Sequence, residues 1–227
     1  MKDSKISVGL IYASIWPGIL GISWLLQSAG VWEVSQGGLY PRTISGLLGI
    51  FTAPFLHGDI HHWLGNTTAL AVLSLFFYWK YPRLFFRTTL WVWLLGYGYT
   101  WLFARSSYHI GASGIVYGYT FFLAAAGLYT RQLRDLAMSF LVIFLYGSAV
   151  WGIFPLTEGV SWEAHLFGAL AGLFALWWYK NEVKSETPSS VNEGDADTDE
   201  NEENEGEWAE EDPYRTLRSL EKKWPEP

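Results

Sequence analysis

The chain of 227 residues is 50% hydrophobic and 18% aromatic, with 14 Trp and no Cys, which excludes disulfides, thiol nucleophiles and Cys-ligated metal sites. Its formal charge of −7 averages two unlike parts. Residues 1–180 carry 10 Lys/Arg against 6 Asp/Glu and residues 181–227 carry 5 against 16, so the acidic pI describes a tail and the body is basic.

A membrane span needs about 20 mostly apolar residues. Residues 6–27 meet that requirement, with Pro17 inside as an expected kink. The same run is too long for the apolar region of a cleavable signal peptide and lacks a small-residue cleavage site. Residues 28–61 are irregular and Gly-rich, with Pro41 and Pro54. Within them, residues 46–56 are apolar but too short to cross, which predicts an interfacial or re-entrant element. Further spans are predicted over 62–79, 84–104, 114–130, 136–154 and 162–179, the second of these with Arg87 snorkelling near its start. The expected body is therefore an all-α membrane protein of six transmembrane helices over residues 1–180. Residues 181–212 read as a disordered acidic tail on composition. Beyond it, Asp212-Pro213 resembles a helix start, and Tyr214, Leu217, Leu220 and Trp224 recur at helical spacing among Arg215, Arg218, Lys222 and Lys223. Residues 213–227 could thus form a short amphipathic helix against anionic lipid.

Charge orients the spans. With the N-terminus in the cytoplasm, the inner side collects Lys2, Lys5, Lys80, Arg83, Arg87, Arg131, Arg134, Lys180 and Lys184, and the outer side only Arg42 and Arg105. That bias obeys the positive-inside rule and puts both termini in the cytoplasm. All five histidines then fall on the outer side. Trp63, Tyr78, Trp79, Trp101, Trp162, Trp178 and Tyr179 crowd the span ends, as interfacial aromatic belts do.

The second, fourth and sixth spans all begin at that outer side. Ser113 lies between small residues, in Gly111-Ala112-Ser113-Gly114, where the fourth span starts. Backbone N–H groups there lack intrahelical partners and favour negative charge, so the position suits a nucleophile beside an oxyanion site. Gly114 and Gly118 also form a small-xxx-small pair, which close helix packing explains without chemistry. His62 and Asn66 stand at i and i+4, on one face of the second span. His165 opens the sixth span and is followed by Gly168, Gly172 and Ala175. Those small residues would let the sixth span press on the Gly114/Gly118 face and bring an imidazole to the Ser113 hydroxyl. Polar groups inside a span are costly, so their clustering at one depth points to function.

Three motifs carry a resemblance: His57-x4-His62-x3-Asn66, Gly111-x-Ser113-Gly114, and Ala164-His165-x2-Gly168-x3-Gly172, with Tyr117 four residues beyond the serine. Over residues 6–179 the chain resembles the rhomboid family of intramembrane serine proteases, of the bacterial six-span type with a large first extracytoplasmic loop. The resemblance implies Ser113 as nucleophile and His165 as general base, without a third carboxylate. It implies His62, Asn66 and the Ser113 N–H as oxyanion hole, Tyr117 stacked on the imidazole, and His57 in support. It further implies a cap over 155–161 and a lateral gate in the fifth span. The implied substrates are single-span membrane proteins, in the bilayer of a bacterial inner membrane, with no cofactor and no metal. Two departures concern scaffold: Pro41-Arg42 stands where the family often has Trp-Arg, and Tyr78 where it often has Glu.

Other classes fit less well. No His is followed by Glu as a membrane metalloprotease needs, and Asp59 and Asp135 lie on opposite sides rather than paired inside spans. Ile115 breaks the G-x-S-x-G elbow of soluble hydrolases. Zinc on His57, His61 and His62 lacks an evident fourth ligand. A rhomboid-like pseudoprotease that holds membrane clients is the main alternative, and a transporter would spread polar residues through the full depth of the spans. Nucleic-acid and dinucleotide signatures are absent, and the sequence leaves the oligomeric state open.

Overall fold

The structure, a computed structural model, describes residues 2–186; the acidic stretch beyond residue 186 and the amphipathic pattern at 213–227 lie outside the described residues. Helices α1 (Lys2–Ser28), α2 (Val34–Gly37), α3 (Gly49–Thr52), α4 (Ile60–Lys80), α5 (Phe85–Phe103), α6 (Ser113–Thr130), α7 (Leu133–Tyr146) and α8 (Trp162–Ser185) follow one another in an all-α fold. Among the described residues the only β pairing is an isolated bridge between Leu39 and His109. Pro17 sits inside α1 without ending it.

Helix α6 is the axis of the bundle, buried along most of its length. It meets α8 backbone to backbone. A Cβ added at Gly168 would fall on the Gly114 carbonyl, and one at Gly172 on the Gly118 carbonyl. Small residues on both faces thus let the helices approach more closely than side chains allow. On its other side α6 packs aromatic rings against α4, with Phe77 4.9 Å from both Tyr119 and Phe122. The buried Tyr119 hydroxyl is satisfied by Trp16 Nε1, 3.3 Å away, and by Thr89 Oγ1. The N-terminal half of α7 lies on α6 through Ser139 Oγ, which donates to the Leu123 carbonyl at 3.0 Å.

Three expectations gain detail. The fifth predicted span, 136–154, is not one α-helix: α7 ends at Tyr146 and gives way to a 3-10 segment, Gly147–Ile153. Gly147 and Ser148 are poor helix formers, and Pro155 disfavours helical geometry at Phe154, so the last turns tighten. The sixth extends past Tyr179 to Ser185, taking residues assigned to the acidic tail. Glu182 there forms an ion pair with Arg87 at 2.5 Å, and Lys184 lies over the Tyr129 ring. The short apolar stretch 46–56 breaks into two 3-10 turns flanking α3.

Among the described residues, two segments are long and apolar enough to cross a membrane by length and composition, Ser7–Ser28 and Leu133–Ile153. The other long helices are diluted by Gly, Thr, Tyr and Trp, which score as weakly apolar yet suit packed or interfacial positions. Large apolar side chains nevertheless face outward around the bundle, Phe144 at 84% and Leu25 at 69% exposure among them. A surface of that kind needs an apolar surrounding.

Candidate active site

Three helix starts converge at one end of the bundle. At α4, Asp59 caps the helix by accepting from the His61 and His62 N–H groups at 2.8 and 2.9 Å. Those two N–H groups hold the Asp59 carboxyl below its ordinary range. The cap fixes the first turn, from which His62 and, one turn on, Asn66 project. At α6, Gly111 adopts φ +100°, a conformation that side-chain-bearing residues rarely take. Its N–H donates to the Ala53 carbonyl at 2.9 Å, and its carbonyl accepts from the Tyr97 hydroxyl at 2.6 Å. A Cβ on Gly111 would sit 2.5 Å from His62 Nε2 and 3.3 Å from Asn66 Nδ2. Glycine at 111 therefore keeps open the space between the start of α6 and the His62 and Asn66 side chains.

Ser113 is the first residue of α6, and His165 lies in the first turn of α8. Ser113 Oγ and His165 Nε2 are 2.8 Å apart. The Tyr117 ring stacks on the imidazole, 4.1 Å between centroids and 8° from parallel. On the opposite edge, His165 Nδ1 lies 2.9 Å from the Gly152 carbonyl. His62 Nδ1 lies 3.5 Å from the Gly58 N–H, an arrangement that suits a proton on its Nε2. Asn66 is buried, and its Nδ2 has no protein acceptor among the described residues. A cavity of about 630 Å³ is lined by Ser113, His165, His62, Asn66 and Tyr117 and roofed by residues 158–161.

His57 lies beneath, fully buried, with its ring edge-on to His62 at 4.9 Å. Burial, then the neighbouring His62, lowers its pKa to about 4. Its backbone is clamped by Gln27, whose Oε1 accepts from the His57 N–H at 3.0 Å and whose Nε2 donates to the His57 carbonyl. Sequence reasoning missed Gln27, Gly152, and a cluster tying the roof to the α5–α6 loop. In that cluster Arg105 donates to the Val160 carbonyl at 2.6 Å and pairs with the buried Glu163 at 3.2 Å, while His109 Nδ1 and Ser161 Oγ are 2.5 Å apart. Burial is the main cause of a lowered pKa at His109. Where the family often has Trp-Arg, Arg42 donates to the Ala104 carbonyl at 2.7 Å and anchors the first loop to the end of α5. Among the described residues no group of three His, Asp or Glu side chains could hold a metal ion, and His57, His61 and His62 do not form one.

The family model described as the Rhomboid domain matches residues 45–182, more than half of the chain. The chain belongs to the rhomboid family. Rhomboid proteins are membrane-embedded and usually intramembrane serine proteases. Proteins of Mycobacterium bovis and Mycobacterium tuberculosis are each 36% identical over 154 residues, 64% of this chain and 64% of the relative. A Mycobacterium leprae protein is 36% identical over 140 residues, 58% of this chain and 55% of its own. All three are described only as uncharacterized proteins. The chain thus spans less than two thirds of the length of these relatives. No solved structure matches it significantly.

Proposed function

We propose that this protein is an intramembrane serine endopeptidase that cuts membrane-protein substrates in or near their transmembrane segments with a Ser113–His165 dyad. The single observation that carries the reading is the 2.8 Å contact between Ser113 Oγ and His165 Nε2 in the wall of a cavity that Asn66 and His62 also line. Serine alone is a weak nucleophile, and a positioned base contributes about 10²–10⁴-fold. As Ser113 Oγ attacks the scissile carbonyl carbon, its proton passes to His165 Nε2. The oxyanion is then held by Asn66 Nδ2, His62 Nε2–H and the Ser113 N–H. His165 returns the proton to the departing amine as the C–N bond breaks, leaving an acyl-enzyme on Ser113. Water, deprotonated by the same Nε2, adds to the acyl carbon and releases the second product.

In this reading α1, α4, α5, α6, α7 and α8 are the six spans. The positive charge concentrated in the loops at the other end supports a bacterial inner membrane with both termini on the cytoplasmic side and the dyad near the outer surface. The Arg105–Glu163 and His109–Ser161 contacts hold residues 155–161 as a cap over the cavity, and α7, exposed along its outer half, is the gate for a substrate helix. No cofactor or metal takes part.

The test is cleavage of a single-span substrate by the purified chain in proteoliposomes. Time-dependent cleavage lost in Ser113→Ala is expected. Capture of the substrate without cleavage by the unaltered protein would instead support the client-holding alternative.

A further inference from the structure

Among the described residues no carboxylate hydrogen-bonds the His165 ring. The Asp or Glu that orients the histidine of a soluble triad keeps Nδ1 protonated and the ring from turning. Here the atom facing Nδ1 is the main-chain carbonyl of Gly152, at 2.9 Å. A carbonyl oxygen only accepts, so this contact requires the proton on Nδ1 and leaves the Nε2 lone pair toward Ser113 Oγ. We propose that the Gly152 carbonyl is the positioning group for His165, selecting the tautomer in which the imidazole can act as base. This rests on the dyad assignment of the proposed function.

Local geometry supports that role. Tyr117 covers one face of the imidazole and resists tilting, but a stacked ring does not choose between tautomers. The carbonyl supplies the missing choice. Gly152 is also the residue that permits the approach: a Cβ there would collide with the Tyr117 hydroxyl and lie 3.2 Å from His165 Nδ1. Finally, Gly152 belongs to the 3-10 segment Gly147–Ile153 that continues α7, not to α8. Trp151 beside it is 64% exposed. Displacing that segment outward removes the acceptor from Nδ1, so the base is competent only while the end of α7 is seated.

Nitrogen-15 NMR of the full-length protein, histidine-labelled in micelles above pH 7 and assigned with His165→Asn, reads the tautomer directly. A single Nδ1–H form at His165 is expected; an Nε2–H form or an even mixture overturns the proposal. Gly152→Ala is expected to lose the single tautomer and to slow fluorophosphonate labelling of Ser113 by at least about tenfold. Adding Tyr117→Phe removes the hydroxyl in closest conflict with the new Cβ, and should return tautomer and labelling rate to those of Tyr117→Phe alone. An unchanged tautomer and rate in Gly152→Ala would also overturn it. If Ser113 in the unaltered protein resists the probe, the dyad reading is what fails, and the tautomer still decides the part played by Gly152.

Discussion

Asn66 reaches the cavity with an amide nitrogen that finds no acceptor among the described residues, although leaving such a donor unpaired costs about 1–3 kcal/mol. A group held at that cost suits an acceptor that forms only during reaction. Asn66→Ala is therefore expected to lower kcat by about 10²–10³-fold while leaving the melting temperature in detergent near its starting value. Equal losses in both would mark Asn66 as structural. His57 makes a different prediction. Its folded pKa, about 4, lies below the ordinary value near 6.5, so between these the unfolded chain binds the extra proton and stability rises with pH. Acidification from pH 6.5 to 4 should cost on the order of 3 kcal/mol, read as a falling melting temperature whose slope is reduced in His57→Gln. The side chains that meet at the cavity were legible because each sits in a short local motif at a helix start. Gly152 and Gln27 were not: one acts through a carbonyl that every residue possesses, the other through a contact 30 positions away.

Between elements, the α6–α8 seam sets the dyad distance. Gly168→Val would force a branched side chain against the Gly114 carbonyl, push α8 outward and carry His165 away from Ser113. Overpacking of this kind costs about 1–3 kcal/mol or more, and a shift of about 1 Å can cost 10²-fold in rate. Gly21→Ala, whose Cβ meets open space in α1, should be neutral or stabilising by up to about 1 kcal/mol. Thermal unfolding and Ser113 labelling measured on both variants separate the cases, and equal behaviour would contradict the seam. This packing was readable from glycines spaced four apart on two segments. The break of α7 into a 3-10 segment was not, because apolar content runs on through Gly147–Ile153 while the backbone changes its hydrogen bonding.

Across the whole molecule, the end of the bundle away from the cavity is held by ion pairs of unequal weight. Lys80, in the last turn of α4, pairs with Asp135 in the first turn of α7, where the carboxylate is fully buried and also accepts from Thr130 Oγ1 at 2.8 Å. Lys80→Met should cost about 3 kcal/mol, because it takes the Lys80 ammonium away from a buried carboxylate. Arg87→Met should cost about 1 kcal/mol or less, since the Arg87–Glu182 pair is exposed at both ends. Melting temperatures in detergent check the ranking, and the reverse order would contradict it. The sequence shows basic residues in the loops at that end but not which cation meets which carboxylate, since Lys80 and Asp135 are joined only by folding. At the opposite end the fold holds one hydroxyl against one imidazole, which on the proposed reading makes Ser113 a nucleophile. Mass-spectrometric mapping of the protein after a fluorophosphonate probe tests it most directly. A single adduct on Ser113 that disappears in His165→Asn is expected; an unlabelled Ser113 in folded protein, or labelling that survives the loss of His165, would overturn the assignment.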